Sequence, residues 1–149
     1  MSEESYPFNS IEQIFVFEFE SISTNKTIKK LVEISLVDVE NQVFNIALLD
    51  VLPGNTMSDI TVSNNSDMPK VLTTVFRALD QFFKLIPAAR VLLSGSTPSR
   101  TRLYQMAISK YLYELELKFD IWGFMGDNPE SFTKRRNYER FTISLKQLK

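Results

Sequence analysis

The chain has 149 residues, 17 Lys and Arg against 18 Asp and Glu, 44% hydrophobic residues, no Cys and no His. That length supports one domain with its own core, in the compositional range of ordinary globular proteins. Without Cys or His there are no disulfides, thiolate nucleophiles, zinc–thiolate centres, Ser-His-Asp triads or HExxH sites, and any metal would need carboxylates, as Mg²⁺ or Ca²⁺ does.

The opening MSEESYPFNS is acidic and lacks the basic and apolar regions of a signal peptide. No apolar run approaches the ~20 residues of a membrane helix. Both points favour the cytoplasm and no membrane contact. Ile14–Glu20 alternates, with Phe15, Phe17 and Phe19 on one face, as in a half-buried strand. Thr27–Val39 puts Ile28, Val32, Ile34 and Leu36 on one face, interrupted by Lys30, and Asn41-Gln42 then reads as a turn. Val43–Leu52 is apolar on both faces, which predicts a central strand covered on both sides. These strands form an antiparallel meander. Pro53–Asp59 is the longest linker-like stretch and is too short to divide a domain, so residues 1–149 are expected to form a single unit.

After a short strand at Ile60–Ser63 the period changes. Met68–Ile86 carries Leu72, Val75, Phe76, Leu79, Phe82, Phe83 and Ile86, the stripe of an amphipathic helix. Ser66 or Asp67 can cap it, Pro69 suits its first turn and Pro87 follows its end. Arg90–Ser94 predicts a buried strand. Thr97 and Pro98 then start a second helix running to about Leu117, with Tyr104, Ala107, Ile108, Tyr111, Leu112 and Leu115 inward. Phe119–Met125 and Tyr138–Leu145 are closing strands around a loop, Gly126–Asn137. The expected fold is α+β: a β-meander followed by strand–helix–strand–helix–strand–strand, as one mixed twisted sheet with two packed helices. The strands around the first helix are expected to be parallel.

Two strand-to-helix connections can hold chemistry: Ser63–Lys70 and Ser94–Tyr104. If their strands are parallel, both open at the sheet edge where α/β folds place ligands. A helix N-terminus favours an anion. Arg100 and Arg102 fall in the first turn of the second helix, where cations oppose the helix dipole by roughly 0.3–1 kcal/mol each. Local rules are broken in this way mainly at functional sites, and Arg matches phosphate or carboxylate bidentately. Asn64, Asn65, Ser96 and Thr97 would add neutral donors. The architectural alternative is that Arg100 or Arg102 pairs with Asp67 and ties the two helices together.

Charge divides unevenly: residues 1–60 hold 10 acids and 3 bases, and residues 61–149 hold 8 acids and 14 bases. A basic half admits a nucleic-acid partner, with Lys134, Arg135 and Arg136 the candidate contacts, although such runs are commonly solvated loops. The carboxylates form no EF-hand or catalytic pair, and there is no P-loop or GxGxxG, so neither a metal nor another cofactor is expected.

Val62–Val75 (VSNNSDMPKVLTTV) and Gly95–Tyr111 (GSTPSRTRLYQMAISKY), with Tyr6–Phe8 near the start, resemble a family of small bacterial proteins of unknown function, of the kind found in Bacteroidetes. That family carries an Asn-Asn-Gly-Asp-like loop, with Ser66 here in the Gly position, and a Thr-Pro-x-Arg-Thr-x-Leu-Tyr segment. More loosely, the element order is similar to the C-terminal part of the GCN5-related acetyltransferases. That resemblance would make Tyr104 the acid that protonates a departing thiolate, but the glycine-rich pyrophosphate loop of those enzymes is replaced by Asn64-Asn65-Ser66-Asp67. The leading expectation is a binding protein for an anionic small molecule or protein partner at the paired loops, using Arg100, Arg102, Ser96, Thr97, Asn64, Asn65 and Asp67. A group-transfer enzyme using Tyr104 is the alternative. A third class is an interaction protein of a toxin–antitoxin or phage-defence pair, and self-association stays open.

Overall fold

Nine strands in one mixed sheet and three helices make up the structure, a computed structural model describing residues 9–11, 15–22, 27–51, 57–59, 68–95 and 97–146. β1 (Asn9–Ile11), β2 (Phe15–Ile22), β3 (Thr27–Asp38) and β4 (Val43–Val51) form the antiparallel meander. Asp38 closes the β3–β4 turn by accepting from the side-chain and backbone N–H groups of Asn41 at 2.9 and 3.2 Å, and these bonds hold its carboxyl below the usual range. Gln42 takes left-handed backbone there (φ 52°), and its carbonyl accepts the Arg90 N–H at 3.0 Å, fixing where the next long-range strand begins.

β5 (Met57–Asp59) pairs antiparallel with β4, and α1 (Met68–Leu85) then leads to β6 (Arg90–Leu93), which lies parallel to β4. The parallel partner across α1 is therefore β4, not the strand just before the helix. β5 falls within the stretch read as a linker, while the expected strand at Ile60–Ser63 lies outside the described residues. Three residues supply no pattern for periodicity to detect.

α2 (Pro98–Lys110) and α3 (Leu112–Glu116) follow, then β7 (Phe119–Met125), β8 (Asn128–Ser131) and β9 (Arg140–Leu145). The expected single second helix is thus divided at Tyr111 (φ −109°, ψ 15°). The inward stripe continues through the break, with Tyr111 and Leu115 both buried, so the apolar period gives no sign of it. The loop expected at Gly126–Asn137 contains β8, a short edge strand with no apolar alternation, joined to β7 by a tight turn at Gly126-Asp127 with Gly126 at φ 62°.

The sheet order is β1-β2-β3-β4-β6-β9-β7-β8, with β5 beside β4. β6 and β7 both pair antiparallel with β9, so they run in the same direction, and α2–α3 form a second crossover. Two crossovers of the same hand advancing the same way across a sheet leave their helices on one face. Accordingly Leu72, Phe76 and Leu79 of α1, Tyr104 and Ile108 of α2, and Ile46 and Leu48 of β4 line one apolar crevice. The other face of β4 carries Val43, Asn45, Ala47 and Leu49, all half-buried. Leu31 of β3, paired with Leu49 on that face, is 5% exposed, so the face is partly covered although both described crossover helices lie on the other side.

The buried apolar side chains other than Leu31 form one continuous core among the described residues. Phe82 packs edge-on against Phe44, Phe15 and Phe83 with centroids 4.9, 5.1 and 5.5 Å away. Such contacts contribute about 0.5–1.5 kcal/mol each beyond burial of area. Val32, Ile34 and Lys30 of β3 are buried, but Leu36, expected on the same inward face, is 49% exposed next to a register shift between Leu36 and Asp38. Among the described residues no helix is long and apolar enough to cross a membrane.

Candidate functional site

β4 gives its edge away from β3 to two strands in turn. β6 pairs with Val43–Ile46 and β5 with Leu49–Val51. The chain leaves β6 after Leu93, level with Ile46, and leaves β5 after Asp59, level with Leu49. At ~3.3 Å per residue these exits lie about 10 Å apart along one edge. The chain thus leaves the two strands close together, although the strands point towards each other rather than in parallel.

The second connection is fully built. Gly95 sits so close to α2 that a Cβ there would lie 2.5 Å from the Thr101 nitrogen and 2.7 Å from the Arg100 Cβ. Its N–H donates to Thr101 Oγ1 at 3.0 Å. Thr97 is the N-cap, accepting the Arg100 N–H on Oγ1 at 3.3 Å and the Thr101 N–H on its carbonyl at 3.0 Å, with Pro98 first in the helix. The cap and the first-turn Pro match the sequence expectation. They also have a consequence for binding. Pro98 has no N–H, and those of Arg100 and Thr101 are taken, so the helix start has few backbone donors to offer an anion.

The side chains next to it form a cavity of about 330 Å³. Thr97, Pro98, Thr101, Arg102 and Gln105 line one wall, and Asn137, Tyr138 and Glu139, from the segment before β9, line the other. Gln105 holds the walls together. Its Nε2 donates to the Arg136 carbonyl, and its Oε1 accepts the Tyr138 N–H at 2.9 Å. The Tyr138 ring covers Gly123, where a Cβ would approach ring atoms to 2.5 Å. The Tyr138 hydroxyl donates to Glu130 at 2.6 Å and accepts the Thr133 N–H at 3.1 Å. Burial first, and the Glu130 hydrogen bond second, raise its pKa above the usual tyrosine value. Arg136 also reaches Glu130, at 3.3 Å, so the far wall is braced from its own side.

Of the residues singled out in the sequence, Thr97 and Arg102 reach this cavity. Arg102 is exposed and Arg100 half-buried. Arg102 is the fifth helical residue, beyond the first turn, where the dipole is weaker. Ser96, Asn64, Asn65 and Asp67, with the caps Ser66 and Asp67 expected for α1, lie outside the described residues. Tyr104 is 3% exposed in the crevice between helices and sheet. Of the basic run, Arg136 is engaged with Glu130, while Lys134 and Arg135 are exposed. No group of three or more acidic side chains suited to a metal occurs among the described residues.

Sequence reading did not single out Gln105, Asn137, Tyr138 and Glu139 as part of a site, nor the buried pair Lys30–Asp50. Lys30 Nζ lies 2.6 Å from Asp50 Oδ1, directly across β3 and β4, with side chains 0% and 3% exposed. In both cases the usable signal is a polar residue on an inward stripe. Gln105 lies between Thr101 and Ile108 on the buried face of α2, and Lys30 precedes Val32 and Ile34 on the buried face of β3.

Residues 2–146 match the model of a family described as "Family of unknown function (DUF6934)", in line with the expected resemblance to a family of unknown function. No curated protein and no solved structure matches the chain.

Proposed function

Because the chain belongs to that family, from which no activity can be carried over, we propose from the cavity alone that this protein is a binding module for a small ligand bearing an anionic group. The carrying observation is a cavity of about 330 Å³ whose one cationic side chain, Arg102, makes no ion pair among the described residues. A cavity-lining guanidinium with no ion-pair partner among the described residues matches carboxylate or phosphate. Thr97 and Thr101 hydroxyls and the Asn137 amide add neutral contacts.

Thermal unfolding of wild type and Arg102→Gln, with and without inorganic phosphate or acetate, tests this reading. An exposed side chain with no ion pair among the described residues should leave the ligand-free midpoint nearly unchanged, within about 0.5 kcal/mol. Phosphate or acetate should raise the wild-type midpoint and leave the variant's where it was. A ligand at 100 times its Kd stabilises by about 2.7 kcal/mol, well within reach of measurement. A wild type that responds to neither anion overturns the proposal.

A second reading, group transfer resembling the acetyltransferases, draws on the sheet. A meander leads into β4–α1–β6–α2–β7, with β4 and β6 the one parallel pair among the described strands. Tyr104 at 3% exposure would need the crevice to open before it could protonate anything. Calorimetry with millimolar acetyl-coenzyme A is expected to show no heat of binding. A micromolar Kd would put this reading first.

A further inference from the structure

The charge on the cavity walls narrows the ligand class; this inference rests on the anion-binding reading above. Arg102 lines one wall and Glu139 the other. Both are exposed, and neither forms an ion pair with the other or with any described residue. The walls are held in place by contacts that do not use these charges: the Gln105 clamp at Arg136 and Tyr138, and the backbone bond from the Glu139 N–H to the Phe124 carbonyl at 2.8 Å. Glu139 is thus presented at the cavity by a braced segment, not by a free loop.

We propose that the cavity takes a small zwitterion, its carboxylate or phosphate on Arg102 and its ammonium on Glu139. A bare polyanion placed here would gain Arg102 and be repelled by Glu139, whereas a ligand with both charges satisfies each wall. A nucleic-acid backbone meets the same repulsion and is disfavoured at this site. The volume, about 330 Å³, lies at the small end of ligand pockets, the scale of an amino acid or an amino-phosphate.

Calorimetry on the full chain would use four probes: inorganic phosphate, acetate, phosphoethanolamine and a panel of L-amino acids. At least one zwitterion should bind wild type more tightly than either simple anion. Arg102→Gln should weaken both kinds of probe by about tenfold or more, the loss expected for one charge-assisted hydrogen bond. Glu139→Gln should act with opposite signs, weakening the zwitterion about tenfold while leaving phosphate and acetate unchanged or tighter. Phosphoethanolamine against the amino acids then shows whether the anionic end is phosphate or carboxylate. Simple anions that bind as well as every zwitterion, or a Glu139→Gln variant that weakens all probes alike, would overturn the zwitterion while leaving the anion site intact. Binding of no probe at all would overturn both.

Discussion

Replacing Lys30 with Met is expected to destabilise the protein by about 3–5 kcal/mol, the range for breaking a buried ion pair from one side. Lys30 and Asp50 stand opposite each other on the inner face of β3 and β4, with Nζ and Oδ1 2.6 Å apart and side chains 0% and 3% exposed. Met is close to Lys in length and leaves little void, so the loss comes from a buried Asp50 carboxylate deprived of the Lys30 charge. For a domain of this size that corresponds to a fall in the unfolding midpoint of roughly 10 °C or more. The double variant Lys30→Met/Asp50→Leu should recover most of the loss, because two apolar groups of similar volume can replace a buried pair at little cost. Urea unfolding of the single and double variants gives both numbers. A single variant that loses less than about 1 kcal/mol would mean that water reaches Asp50 once Lys30 is gone.

Gly95→Ala is the second large effect. The new Cβ would lie 2.5 Å from the Thr101 nitrogen and 2.7 Å from the Arg100 Cβ, and the nearer of these is backbone in the first turn of α2. A flexible side chain could swing away, but this turn can yield only by moving the helix. Overpacking of this kind costs about 1–3 kcal/mol and sometimes more, and the upper end is expected here. The shift would also stretch the bond from the Gly95 N–H to Thr101 Oγ1, 3.0 Å at present, and move Arg102 relative to Glu139. Gly126→Ala is the control. It has nothing within 4 Å but a φ of +62°, so it should lose about 1 kcal/mol of stability to the backbone strain introduced and keep any ligand response. Thermal unfolding with the best-binding probe separates the two: loss of stability together with ligand response for Gly95→Ala, and loss of stability alone for Gly126→Ala.

The elements that could be read in the sequence are those whose signal is local. The α1 stripe, the Thr97–Pro98 helix start and the alternation in β2 each sit within one segment and appear where expected. The short strands β1, β5 and β8 carry no apolar alternation or run to detect, whereas β6, also four residues, shows as the apolar run Val91–Leu93. The candidate site was half visible for the same reason. Thr97 and Arg102 belong to the helix start itself, but Tyr138 and Glu139 face them only because β9 enters the sheet between β6 and β7. Gln105 bonds to residues 31 and 33 positions away, a pairing that only the sheet order creates.

The same insertion of β9 shapes how the chain must assemble as it is made. β6 and β7 touch no strand in common until β9 lies between them, so everything from β1 to β6 is one unit and the β7–β8 hairpin another. Synthesis delivers the first unit with the β6 edge bare and its row of N–H and C=O groups unpaired, the exposed edge that invites pairing with a neighbouring chain. The helices can dock on that unit early, but the sheet cannot close until residues 140–145 have left the ribosome. The same event completes the far wall of the cavity, since Tyr138 and Glu139 immediately precede β9. A nascent chain therefore acquires its full sheet and both walls of the cavity in one late step, and a chain cut short before β9 would have neither.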